Sequence, residues 1–339
     1  MDILKRPQKI KTPIWFMRQA GRYLPEYKKI RKKYENFLDM CFSPTIASEI
    51  SLQPIKRFDL DFIILFSDIL VIPFALDQKV TFKEKTGPVL NIINSKKDLK
   101  YSSLKNIMIK LKPVFETLQI LKEEKKNKRL IGFCGGPFTV LTYMIEGGTS
   151  TEHLKIRRFL SSQREEMDEL IDLLTEVSIE YLRLQILSGA DVIQVFDSWA
   201  GLLDMENYEE YVMKPSKRIY EEIKKEFPQT PVIFFPRGSG GKLVDFINYV
   251  ECDAISLDEK FPQELVGISE RKKIILQGNL SPKSLLEGGD KMEQEIRNCM
   301  QRFKNNLHIF NLSHGVLPST PPENIERTIE LVREFDETK

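Results

Sequence analysis

Seven short apolar runs recur along the chain, each closing on glycine or a polar residue. They are DFIILFSD (61–68), RLIGFCGG (129–136), ADVIQVFDSW (190–199), PVIFFPRG (231–238), DAISLDE (253–259), KIILQGN (273–279) and HIFNLSHG (308–315). Runs this short, rich in Ile, Val and Phe with little polar alternation, suit strands buried on both faces of a parallel sheet. Amphipathic stretches separate them. SPTIASEI opens a helix with Ser43 at the N-cap and Pro44 at the first helical position. Residues 150–190 are long enough for two helices and stop near Gly189, a residue type suited to a helix C-terminus. STPPENIERTIELVREF starts a last helix at Thr320 and Pro321. Residues 78–95 read as a β-hairpin insertion turning at Thr86–Gly87.

Seven strands joined by helices, with no midway switch in pattern, predict an α/β protein. The reading is a single-domain (β/α)8 barrel over residues 1–339, TIM-like, with an N-terminal extension. TPIWFM (12–17) is the candidate eighth strand. An open doubly wound sheet is the competing architecture.

Composition changes this picture little. With 41% hydrophobic residues and 29% charged ones, the chain has material for a sizeable core. Its 51 basic and 49 acidic residues leave a net charge of +2, without the basic bias of a nucleic-acid binder. An anionic ligand must therefore meet local positive charge. Cys41, Cys134, Cys252 and Cys299 form no CxxC and read as reduced core thiols. MDILKRPQKIKTPIW lacks an apolar signal core, and the longest apolar runs fall far short of the roughly 20 residues that span a bilayer. A soluble cytoplasmic protein is expected.

In a barrel of this type, chemistry gathers at the carboxyl ends of the strands. That rule collects Asp68, Gly135-Gly136-Pro137, Asp197, Ser198, Arg237, Asp258, Asn279 and His314. Each alone could be an ordinary loop residue: Asp68 or Ser198 a helix cap, His314 structural, Tyr143 half-buried core. As a set, some are functional if the barrel is right. A second candidate is WFMRQAGRYLPEY (15–27), where Arg18 and Arg22 flank Gly21 directly behind an apolar run. It is either a solvated turn or an anion clamp. His153, His308 and His314 show no HxxH or HExxH spacing, so no metal is expected. P-loop, dinucleotide-binding GxGxxG and GxSxG patterns are missing too.

These segments also support a resemblance. PIWFMRQAGRYLPEY (13–27) and GFCGGPFTVLTYMIEGG (132–148) resemble the two signatures of the uroporphyrinogen decarboxylase family. FSDIL (66–70), DVIQVFDSWAG (191–201), LQGNLSP (276–282) and HIFNLSHGVLPSTPPENI (308–325) are similar to its other landmarks, in order. Three positions depart from it. Glu259 stands where the family usually has Trp, Ser281 where it has Asp, and Ser313 where it commonly has Gly.

The resemblance implies a distorted (β/α)8 barrel, a homodimer, and no metal or organic cofactor. It implies loss of the four acetate carboxyls of uroporphyrinogen III as CO2, giving coproporphyrinogen III in haem biosynthesis. Guanidiniums suit a substrate ringed by carboxylates, because the planar fork meets each one bidentately. Arg18 and Arg22 would do this, with Gln19 as an extra amide donor and Ala20 and Gly21 completing the clamp. Asp68, an acceptor-only carboxylate, suits the central pyrrole N–H groups and the cation that develops during reaction. Arg18 and His314 are both candidate proton donors. Tyr143 and Ser198 would bind carboxylates, and Phe133 and Phe196 would pack on pyrrole faces. The rivals are a zinc-dependent methyltransferase of the same barrel superfamily and a non-catalytic tetrapyrrole carrier.

Overall fold

The computed structural model describes residues 11–83, 86–100 and 103–337. Its strands are β1 Phe62–Ile64, β2 Val80–Lys83, β3 Gly87–Leu90, β4 Arg129–Gly135, β5 Val192–Asp197, β6 Val232–Pro236, β7 Ala254–Ser256, β8 Ile275–Gln277 and β9 His308–Ile309. All seven runs picked out by apolar pattern carry a strand of one sheet, ordered β1-β4-β5-β6-β7-β8-β9. Every pairing in it is parallel. Helices such as Pro137–Glu146, Arg164–Leu187 and Gly289–Arg302 form the crossovers. β1, β6, β7 and β8 are buried throughout, which is why their sequences show no polar alternation.

The sheet curls. Gln194 of β5 and Gln277 of β8 are not on neighbouring strands, yet Gln277 Nε2 donates to Gln194 Oε1 at 3.1 Å. Trp15 Nε1 donates to Gln277 Oε1 at 2.9 Å, and Gln194 Nε2 donates to Ser256 Oγ at 3.3 Å. These polar groups meet in the concave interior. Bonding among themselves offsets the desolvation that burial imposes on each.

The segment around Ile14 lies between the two ends of the sheet. Phe310 N–H donates to Pro13 O at 2.8 Å and Trp15 N–H to Phe310 O at 3.3 Å, on the β9 side. Asp61 N–H donates to Ile14 O at 3.0 Å, and Ile14 N–H to Asp61 Oδ2 at 2.7 Å, on the β1 side. TPIWFM thus contributes one parallel ladder pair, Ile14 with Phe310, rather than a regular strand. The N-terminal extension falls largely on residues outside those described.

Several strands are shorter than their apolar runs. β1 stops at Ile64; Leu65 N–H still reaches Ile131 O at 3.0 Å, but Phe66 N–H turns to Ser51 Oγ at 2.8 Å. Asp68 therefore stands on a loop beyond the strand. β2 and β3 pair antiparallel, from Val80 with Leu90 to Lys83 with Gly87; Glu84 and Lys85 lie outside the described residues. Pro44 opens the helix Pro44–Arg57 as read, but the Ser43 side chain makes no cap bond. Residues 154–187 split into the helices Leu154–Ser162 and Arg164–Leu187, and Gly189 follows at φ +120°. The last helix is Pro322–Glu337.

Candidate active site

Asp68 sits at the β1 mouth. Its Oδ1 accepts the Leu70 N–H at 2.9 Å, closing the tight turn before a short helix, Val71–Ala75. Burial pushes its carboxyl up to about 6; the Leu70 N–H and the Arg18 guanidinium pull the other way. Near neutral pH it is therefore mostly ionised and held close to its proton.

Arg18 is exposed and takes the left-handed conformation, φ +61°. For a residue with a Cβ this costs on the order of 1–2 kcal/mol, so the surroundings must impose it. They do. Met17 N–H donates to Asn311 Oδ1 at 3.0 Å, Val316 N–H to Met17 O at 2.9 Å, and Gln19 N–H to Phe16 O at 2.9 Å. The Arg18 stem crosses Gly315 so closely that a Cβ there would stand 2.4 Å from Arg18 Cδ. Its charge acts on Asp68, Tyr143 and His314 together.

Gln19 is not the extra amide donor expected from sequence. It is fully buried; Oε1 accepts the Phe16 N–H at 3.1 Å and Nε2 donates to Phe62 O at 2.9 Å. Its amide locks the Arg18 turn to β1. Ala20 and Gly21 continue that turn, which closes with Leu24 N–H on Gly21 O at 3.0 Å. Arg22 is exposed, and its charge is felt at Tyr27 rather than among the charges on Asp68, Tyr143 or His314. It stands further round the rim.

His314 follows β9 and is half-buried. Burial first, then the Arg18 and Arg237 guanidiniums, hold its imidazole down to about 3. In the unliganded cleft it is a neutral ring, not an imidazolium. Tyr143 is half-buried on the helix Pro137–Glu146, with its phenol raised by burial and its ring 6.1 Å from that of Trp199. Trp199 is also met edge-on by His153 at 4.4 Å. Ser198 lies half-buried beside it. Phe196 lies two residues beyond Gln194, hence on the same interior face of β5. The Phe133 ring meets it at 5.6 Å and the Phe235 ring at 6.5 Å, both edge-on.

The ring read from sequence thus divides. Asp68, Ser198, Arg237 and His314 are half-buried at the mouth. Asp197, Asp258 and Asn279 hold loops together instead. Asp197 Oδ1 accepts the Thr139 hydroxyl at 2.5 Å, and the carboxyl is buried. Thr139 Oγ1 in turn accepts the Trp199 N–H at 2.9 Å. Asp258 Oδ2 accepts the Gly238 N–H at 2.7 Å, and Asn279 Nδ2 donates to Asp258 O at 2.9 Å. Thr139, Trp199, Asn311 and Gly315 escaped the sequence reading. Of these, only Asn311, a polar residue inside an apolar run, carried a visible signal.

Among the described residues, no three His, Cys, Asp or Glu side chains converge as metal ligands, and no helix is long and apolar enough to cross a membrane. The four cysteines are buried thiols.

Fold and site together define the class: a parallel β/α protein with the Arg18 and Arg237 guanidiniums, the Asp68 carboxylate and His314 gathered at the carboxyl ends of its strands. The uroporphyrinogen decarboxylase (URO-D) family profile matches residues 1–335. The uroporphyrinogen decarboxylase of Rickettsia africae is 44% identical over 329 residues, covering 96% of this chain and 94% of that protein. That of Rickettsia bellii is 43% identical over 327 residues, covering 96% of each. The chain belongs to the uroporphyrinogen decarboxylase family. In fold it is similar to a methyltransferase from Methanosarcina mazei, with a TM-score of 0.74 at 17% identity, covering 96% of this chain and 94% of that one. A B12-independent methionine synthase from Shewanella sp. W3-18-1 follows at a TM-score of 0.52 and 13% identity, covering 87% of each. At these identities the likeness concerns the fold alone.

Proposed function

We propose that this protein removes the four acetate carboxyls of uroporphyrinogen III, giving coproporphyrinogen III and four CO2, without metal or organic cofactor. One observation carries the reading: the Arg18 stem lies across Gly315, next to His314, and its guanidinium acts on Asp68, Tyr143 and His314, so a cation, an ionisable acceptor and two hydrogen-bonding side chains stand together at the sheet mouth.

The chemistry suits those groups. Protonation of a pyrrole ring carbon creates a cationic iminium. The bond to the acetate carboxyl then breaks, CO2 leaves, and its electron pair neutralises the iminium. The exocyclic carbon takes a proton to become methyl, and the ring loses the first one; the net change is one proton in and one CO2 out. The substrate is its own electron sink, which elsewhere is a cofactor's task. Asp68 has the right sign to stabilise the cation and can accept the pyrrole N–H groups. Arg18 and Arg22 bind the peripheral carboxylates, with Tyr143, Ser198 and His314 donating hydrogen bonds. Phe133 and Phe196 pack against pyrrole faces.

The two candidate proton donors differ in kind. Arg18 holds its proton too tightly to be an ordinary general acid. His314 is held neutral first by burial and then by the guanidiniums; bound carboxylates would offset the second part and draw its proton affinity upward to that extent. We further assign the Ile14 segment the eighth place of a closed, distorted barrel that makes up a single domain, and a homodimer working in the cytoplasm.

Anaerobic incubation with uroporphyrinogen, with products sorted by carboxyl number, tests the reading. The expected product carries four carboxyls. Bound but unchanged substrate would indicate a carrier, and zinc-dependent methyl transfer would indicate the methyltransferase alternative.

A further inference from the structure

The three positions that depart from the family pattern lie far apart in sequence, after β7, β8 and β9. In space they are one hydrogen-bonded group. Glu259 Oε1 accepts the Ser281 hydroxyl at 2.9 Å and the Ser313 hydroxyl at 3.4 Å. Ser313 immediately precedes His314, and its N–H donates to Leu280 O at 2.8 Å, next to Ser281. Ser281 is also the N-cap of the helix Pro282–Glu287, its hydroxyl accepting the Lys283 N–H at 3.3 Å. The neighbouring Asp258 does the same on the other side, taking the N–H of Gly238, the residue after Arg237. Two consecutive side chains therefore anchor the residues beside two groups at the mouth, Asp258 through the Gly238 N–H next to Arg237 and Glu259 through the Ser313 hydroxyl next to His314.

Glu259 reaches His314 through the Ser313 hydroxyl. The groups acting electrostatically on the imidazole are Arg18 and Arg237. Its contribution is geometric: one carboxylate oxygen gathers hydroxyls from two neighbouring loops. The three substitutions also constrain one another. An aspartate at 281 would set a second carboxylate where a hydroxyl now donates to Glu259, replacing an attraction with like-charge repulsion. A glycine at 313 would remove the other donor.

We propose that Glu259, Ser281 and Ser313 form a positioning latch for His314. The inference rests on the reading of His314 as a ligand of substrate carboxylate. It makes Glu259 a positioning residue, acting through Ser313 and never on the substrate.

Steady-state kinetics with uroporphyrinogen, under anaerobic conditions, test it on a small panel. Losing the shared acceptor in Glu259→Ala should raise KM about fivefold, the worth of a typical hydrogen bond, with kcat within about twofold of the parent. Glu259→Gln keeps an acceptor oxygen and should restore the parent KM. Ser281→Asp alone should match or exceed the Glu259→Ala defect. Should Glu259→Ala fail to fold, Ser313→Ala removes one donor and should raise KM in the same direction. His314→Ala separates the two levels of the argument. If His314→Ala raises KM while Glu259→Ala or Ser313→Ala does not, the latch is wrong and the site reading stands. If Glu259→Gln is as impaired as Glu259→Ala, charge rather than position is at work and the latch is again wrong. If His314→Ala leaves KM unchanged, the reading of His314 fails and the latch falls with it.

Discussion

Asp68 and Asp197 occupy similar places. Each closes an apolar run at the same end of the sheet, Asp68 on the loop beyond β1 and Asp197 as the last residue of β5, and burial raises each, to about 6 and about 7. What they face differs. Asp68 is half-buried, with the Arg18 charge nearby and one oxygen on the Leu70 N–H. Asp197 is sealed in: Thr139 holds one oxygen, and Gly136 lies so close that a Cβ there would stand 2.4 Å from Asp197 Cγ. On the proposed reading, burial alone does not mark a functional carboxyl; exposure at the sheet mouth and a neighbouring cation do.

Four outcomes would break or sharpen that contrast. The largest belongs to Asp68. Asp68→Asn keeps the shape but removes the charge aimed at the cationic intermediate, and kcat should fall about a hundredfold to a thousandfold with the fold intact by circular dichroism. Normal turnover would erase the distinction.

Two glycine substitutions then probe the two neighbourhoods. Gly136→Ala forces a methyl group against the packed Asp197 carboxyl and should cost about 1–3 kcal/mol of stability, read from urea unfolding midpoints. Gly315→Ala meets instead the flexible, exposed stem of Arg18, which can swing aside. Stability should hardly change, while KM rises about tenfold through loss of a charged contact to substrate. The reverse pattern would mean that the roles of the two neighbourhoods are exchanged.

The last effect is one of pH. A carboxyl raised on folding binds its proton more tightly in the native state, so its contribution to stability declines as pH rises from about 4, the unfolded value, to the folded one. For Asp197 that window closes near 7. Asp197→Asn removes this term and keeps an acceptor for Thr139. It should gain on the parent between these limits and stay level above them, in urea unfolding at successive pH values. His314 works in the opposite sense. Its folded value of about 3 lies below the unfolded one, so its contribution grows as pH rises from about 3 to about 6.5.

How far the sequence revealed this molecule follows from the reach of each signal. The strands were legible because burial on both faces leaves unbroken apolar runs. Their ends were less so: Phe66 looks like a strand residue but bonds to Ser51 of a helix, a partner invisible in linear order. Asp68 and Asp197 read alike because aspartate after a strand is one pattern with two environments. Gln19 was sorted with its arginine neighbours by residue type, whereas its partners, the Phe16 N–H and Phe62 O, are backbone atoms. Glu259, Ser281 and Ser313 were visible as departures, but their meeting depends on loops after three successive strands.

Turnover and binding of uroporphyrinogen, measured side by side on the parent and on Asp68→Asn, bear most directly on the account. The parent should yield the four-carboxyl product, and the variant should bind substrate through the arginine rim while losing at least about a hundredfold in kcat. Equal turnover in the two proteins, or a parent that binds the substrate and releases it unchanged, would contradict it.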